Sequence, residues 1–211
     1  MDYKLREYKP EDREILRNIC YDTGFIGKPF DEIFNDKKLF SDMIMGYYLA
    51  REPENVIVVE VKKKVVGYLT GSTAGKAHNW FLAFATSAML KMLMKSTFGF
   101  YRKFPQNKKF IKNIFSLATK SMLDTPKNAA HCHLNLLPGY RANGIGGAML
   151  KRFYSKAKKA GYDTVYEEVI INPKKTLNYF KKVGFEIYDT KPGNILGKGK
   201  EYFSACIVKK I

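Results

Sequence analysis

The stretch Leu136-Leu137-Pro138-Gly139-Tyr140-Arg141-Ala142-Asn143-Gly144-Ile145-Gly146-Gly147-Ala148-Met149-Leu150 governs how the rest of the chain is read. A strand-like run, Ala129 to Leu137, stops at Pro138, and a glycine-rich turn follows. From Gly144 to Ala160, Ile145, Met149, Phe153, Ala157 and Ala160 recur at helical spacing, and Gly161 stands where a helix would end. A helix that starts this way leaves its first N–H groups without internal acceptors and points its positive end at the turn. Gly144 and Gly146 have no Cβ, so an anion such as a phosphate can approach the backbone closely. No Gly-Lys-Ser/Thr follows, and Met149 occupies the position a third spaced glycine would need, which excludes a P-loop and a dinucleotide fingerprint. An ordinary tight strand–helix turn is the alternative that these residues leave open.

Working outward, Thr164 to Ile171 reads as a strand and Pro173 to Val183 as a helix closed by Gly184. Phe185–Tyr188 and Tyr202–Lys209 are expected as the last two strands. Upstream, Val56–Val61 and Val65–Gly71 are β-branched runs joined by a short lysine turn, a hairpin pattern. Tyr3 to Tyr8 alternates like a short strand. Pro10-Glu11-Asp12 then opens a helix with proline and two acids in the first turn. A second helical region is expected from about Asp31 to Ala50, carrying Ile33, Phe34, Phe40, Ile44, Tyr47 and Tyr48.

Residues from about 73 to 128 differ from their surroundings. Trp80 to Leu90 is apolar for 11 residues before Lys91 interrupts it, whereas a membrane span needs about 20. Phe110, Ile111, Ile114, Phe115 and Leu117 recur at helical spacing between lysines. Two amphipathic helices with a break near 104–107 are predicted. They form an insertion packed on the core, a lid, or a surface for membrane or a partner.

Composition narrows the class. Of the 211 residues, 45% are hydrophobic and 14% aromatic, enough for a real core, so disorder is excluded as the main character. The net charge of +17 suits anionic partners, but the lysines are spread along the chain without a basic tail or a nucleic-acid reader motif, so nucleic acid is not expected as a partner. Met1 leads into a charged start rather than a secretory leader, and three distant cysteines suggest neither disulfides nor a zinc site. A cytoplasmic protein without metal is the expectation.

Arg141-x-x-Gly144-x-Gly146 after a strand ending Leu-Leu-Pro resembles the acetyl-CoA pyrophosphate loop of the GNAT N-acetyltransferases. Asn172 and Tyr179-Phe180-Lys181-Lys182-Val183-Gly184-Phe185 are similar to that family's downstream segment. Ala130-His131-Cys132-His133 resembles a strand of the subgroup related to the acetyltransferase-like domain of O-GlcNAcase. The likeness covers 1–72 and 129–211. It implies one α/β domain, a mixed sheet splayed between two central strands and flanked by helices, with the helical insertion before the central strand. It also implies acetyl-CoA as cosubstrate in the splay: Leu136 and Leu137 along the pantetheine arm, the N–H groups of Arg141, Ala142, Asn143, Gly144, Ile145, Gly146 and Gly147 on the pyrophosphate, and Asn172 on the far side.

The reaction so implied moves an acetyl group to a primary amine of a small molecule or peptide, by direct transfer. Such transfer needs a base for the amine proton and an acid for the leaving sulfur. Counting from Asn172 puts Tyr179 at the family's tyrosine position, while counting back from Gly184 puts Phe180 there. His131, His133 and Asn135 alternate and share one strand face, with His133 the base candidate and Glu167 and Glu168 further ones. Cys132 should face the other way, leaving no nucleophile–base pair. Tyr47 and Tyr48 either line the acceptor pocket or pack on the sheet. A non-catalytic acyl-CoA-binding protein is the alternative, and a homodimer is the expectation for assembly.

Overall fold

The structure is a computed structural model describing all residues except 75–76, 121–122, 173–176 and 193–201; side chains are described outside 75–81, 117–122, 173–179 and 193–201. The valine-rich hairpin forms where its pattern predicts. β2 (Ile57–Val61) and β3 (Lys64–Ser72) pair antiparallel. Lys62 and Lys63 make the turn at φ 49° and 64°, the left-handed pair whose twist matches flanking strands. β1 (Lys4–Glu7) adds to one side and β4 (Ala130–Leu136) to the other. β5 (Thr164–Ile171), β6 (Glu186–Pro192) and β7 (Phe203–Lys210) complete seven strands in the order β1-β2-β3-β4-β5-β7-β6. Every neighbouring pair is antiparallel except β4–β5.

The alternation of side chains divides the core into two layers. On one face, α1 (Arg13–Thr23) and α2 (Lys37–Arg51) bury Leu16, Ile19 and Phe40 with Tyr68 of β3. On the other, α5 (Ile145–Lys159) buries Ile145, Met149 and Phe153 against Val59, Leu69, Cys132 and Val165. The second contact is close: a Cβ on Gly71 would run into the Phe153 ring. α6 (Leu177–Lys182) precedes β6.

The insertion forms α3 (Ala77–Thr97) and α4 (Pro105–Lys120), and both pack on the α1–α2 layer through Ala85, Ala88, Met92, Phe110, Ile111 and Ile114. The break falls earlier than the pattern suggests, over residues 98–104. Gly99 turns there at φ +79°, and Pro105 opens α4 rather than interrupting it.

Two N-terminal boundaries also differ from expectation. Pro10–Asp12 is a separate 3-10 turn, tied by Asp12, which accepts from Lys9 N–H at 2.8 Å and pairs with Arg6 at 2.6 Å. The second helix starts at Lys37, not near Asp31. Phe30 and Phe34 turn inward, with Phe30 stacked on Phe40 at 4.1 Å, and Asp36 then caps the helix by accepting from Leu39 N–H. Aromatic burial in a turn replaces helical continuation there.

Candidate active site

β4 and β5 pair at only two positions, Ala130 with Val165 and His131 with Tyr166. Beyond them β4 stays on β3 as far as Leu136, while β5 follows β7 along its whole length. The strands therefore part, and a V opens between residues 132–136 and 167–171. Backbone groups along the V lose their sheet partners and must find others. Leu134 N–H donates to Glu167 Oε1 at 3.3 Å, and Leu136 C=O accepts from Arg141 Nε at 2.9 Å. Leu137 lies beyond the V's edge: its N–H donates to Val66 C=O and its C=O accepts from Tyr140 N–H, both at 3.0 Å.

At the mouth, Pro138–Tyr140 forms a 3-10 turn, Ala142 sits at φ +62°, and Gly144 caps α5 at φ +77°. The first α5 bond is Ala148 N–H to Gly144 C=O, so the helix itself cannot pair the N–H groups of Ile145, Gly146 and Gly147. A Cβ added at Gly139, Gly144 or Gly147 would meet nothing within 4 Å, which leaves an open cradle beside the helix end. Asn143 Nδ2 donates to Arg141 C=O at 3.1 Å and shapes the turn from within. The Arg141 side chain folds back instead of pointing into the cradle, bridging Leu136 C=O and Gly27 C=O (3.1 Å). Asn172 is buried just after β5, on the opposite lip of the V.

His131, His133 and Asn135 share one face of β4, and Cys132 lies on the other, buried under α5. His133 Nδ1 is 3.2 Å from Glu167 Oε1, and its Nε2 is 3.0 Å from Asn135 Nδ2. Asn135 Nδ2 also donates to Tyr68 Oη at 2.7 Å. Assigned from these partners, the neutral ring carries its proton on Nδ1 and its lone pair on Nε2. His131 Nδ1 and Tyr48 Oη are hydrogen-bonded at 2.6 Å, and the two rings stack. Tyr47 and Tyr48 are both buried; Tyr47 donates to Glu52 at 2.6 Å and packs edge-on to Phe84 of α3. Burial pushes the Tyr48 and Tyr68 hydroxyls well above the ordinary tyrosine range. Burial likewise raises the Glu168 carboxyl and the Cys132 thiol.

The two glutamates on β5 thus separate, Glu167 toward His133 and Glu168 toward Tyr48 and Tyr166. The side chain of Tyr179 lies outside the described residues, as does that of His78. Phe180 packs edge-on to Phe185. Among the described residues no group of three or more His, Cys, Asp or Glu is placed to hold a metal ion. Tyr68 is the contributor that sequence reasoning missed. Its place opposite Asn135 follows from the β3–β4 register, which no local pattern encodes.

A seven-stranded sheet, parallel only at the centre and splayed there beside a glycine-lined helix start, is the fold of the GNAT N-acetyltransferases. No protein-family model matches the chain. A 59-residue stretch is 41% identical to "Probable N-acetyltransferase san" of Drosophila melanogaster, spanning 28% of this chain and 32% of that protein. The chain thus spans about a third of the length of the curated relative it matches. Among solved structures, SsHAT superposes with a TM-score of 0.67 at 17% identity, over 100% of this chain and 98% of that one. The yncA protein of Salmonella typhimurium, solved with its cofactor acetyl-CoA, superposes at 0.57 and 14% identity, over 99% and 93%.

Proposed function

We propose that the protein is an acetyl-CoA-dependent N-acetyltransferase that acetylates a primary amine of a small molecule or peptide. The domain runs over 1–211, with the insertion at about 73–128. The V between β4 and β5, with an open glycine-lined helix start at its mouth, carries this reading. The cradle fits an anion: it has room at Gly139, Gly144 and Gly147, a positive helix end, and N–H groups that α5 leaves unpaired. Backbone of residues 142–147 would hold the cosubstrate's pyrophosphate, since the Arg141 N–H already donates to Pro138 C=O at 3.3 Å; Leu136 would flank its arm, and Asn172 would bind from the other lip. Arg141 serves by fixing the turn to Leu136 and Gly27.

Bound there, acetyl-CoA supplies an activated thioester. His133 Nε2 takes the amine proton once Asn135 yields its place, and the Glu167 carboxylate faces the Nδ1–H of the resulting imidazolium. Tyr179 is the proposed acid for the leaving sulfur. Direct transfer is favoured because the Cys132 thiol is buried, raised and turned away from the histidines. Buried, unpaired cysteines agree with a cytoplasmic setting. The O-GlcNAcase-related subgroup rests on Ala130–His133, and a homodimer is the proposed assembly.

Calorimetric titration with acetyl-CoA tests the reading. Wild type should bind at micromolar concentration. Gly147→Val, whose Cβ would meet no protein atom within 4 Å, should weaken binding at least about tenfold while the protein keeps a cooperative melting transition. Absence of binding by wild type overturns the proposal. CoA release across an amine panel, lost in His133→Ala, separates an enzyme from a silent acyl-CoA binder.

A further inference from the structure

Of the large apolar side chains that the fold leaves exposed among the described residues, most lie in the insertion. One side of α3 covers the core through Ala85, Ala88 and Met92. On the other, Leu90, Leu93 and Met94 line up at i, i+3 and i+4, and Leu90 and Met94 are 51% and 57% exposed. The stripe continues into the turn that follows, where Phe98 and Phe100 are 73% and 69% exposed and Phe104 is exposed beside them. Between Leu82 and Phe98 it extends about 24 Å at the helical rise. Lys91 is the one charged residue on that side of α3 among those described.

The insertion's own charge has a single sign, and the acid placed against it, Asp36, is already paired with Lys95 at 2.6 Å. Residues 73–123 contain nine Lys or Arg and no Asp or Glu. Arg102 and Lys103 are exposed within the phenylalanine turn, and Lys108, Lys109 and Lys112 face outward from α4. Protein–protein interfaces are depleted in lysine, whereas apolar stripes rimmed by lysine suit the interface of an anionic bilayer. No helix among the described residues is long and apolar enough to cross a membrane. We infer that the insertion docks the protein on the surface of an anionic lipid bilayer. Leu90, Met94, Phe98 and Phe100 enter the headgroup boundary, and the cations of the turn and α4 meet lipid phosphates and carboxylates.

The full-length protein is co-sedimented with phosphatidylcholine vesicles with and without phosphatidylserine. Binding is expected to the phosphatidylserine vesicles and to weaken with salt. Each of Lys108→Gln and Lys109→Gln should lower the partition constant about fivefold. Phe98→Ser/Phe100→Ser should lower it at least about tenfold. These side chains are exposed, so an unchanged melting temperature and acetyl-CoA affinity confirm that the variants keep their fold and that the test is independent of the cosubstrate site. No binding, equal binding to both vesicle types, or binding untouched by the phenylalanine variant overturns the inference. Self-association abolished by that variant, without vesicle binding, assigns the face to a second copy and equally overturns it.

Discussion

Glu52 is a buried carboxylate that the proposed chemistry does not use, and removing it should cost more stability than any exposed change. It follows α2 and collects four donors. Tyr47 Oη at 2.6 Å and the Ser72 hydroxyl reach Oε1, while Asn55 Nδ2 at 2.9 Å and Thr73 N–H at 2.8 Å reach Oε2. These bonds join α2 to β3 where the chain leaves for the insertion. Glu52→Ala removes all four bonds. The two hydroxyls can rotate toward other acceptors and Asn55 Nδ2 keeps Thr73 Oγ1 at 2.9 Å, but the Thr73 N–H cannot turn elsewhere. At about 1–3 kcal/mol for that stranded N–H and about 0.5–1 kcal/mol for each of the three other lost bonds, the loss is about 4 kcal/mol. Glu52→Gln is milder. Its carbonyl can serve Asn55 and Thr73 while its NH2 donates to the two hydroxyls, so only the charge-assisted share is lost, about 1 kcal/mol. With about 2–4 °C per kcal/mol for a chain of this size, thermal denaturation should fall about 8–16 °C for the alanine variant and about 2–4 °C for the glutamine variant. Equal melting of the two variants, or an alanine variant at wild-type stability, would refute the claim that this carboxylate holds the junction.

Two further outcomes concern pH. Asp36 caps α2, bonds Lys95 at 2.6 Å and accepts from Tyr101 Oη at 2.8 Å. Burial pushes its carboxyl up, but those bonds outweigh it and hold the group below the ordinary aspartate range. Its contribution is therefore present above about pH 4 and is lost as pH falls through the lowered value. Asp36→Ala should cost about 2 kcal/mol at pH 7 in urea unfolding, and the gap should narrow in acid. Glu168 has the opposite sign: burial raises its carboxyl, so its neutral form suits the fold and stability is lost as pH rises through the raised value. Glu168→Gln should match wild type near pH 4 and melt above it at pH 8; a constant difference between the two would count against the burial argument.

What the sequence determined by itself was local. The hairpin around Lys62-Lys63, the turn from Pro138 into α5 and the two insertion helices each follow from residues close in the chain, through alternation, helical spacing and glycine placement. The strand alternation also put His131, His133 and Asn135 on one face with Cys132 opposite, since period 2 needs no partner to be read. Tertiary structure decided what depends on register and competition for space. The parting of β4 from β5 arises because β5 keeps β7 as its partner after two residues beside β4, and only then does Glu167 reach Leu134 N–H and His133. The Arg141 side chain, which sequence alone leaves free to point at an anion, is claimed by two carbonyls 5 and 114 residues away. The helical signal from Asp31 gave way to burial of Phe30 and Phe34. Long-range contacts of this kind outweigh local propensities of a few tenths of a kcal/mol per residue, which is why they cannot be read one segment at a time.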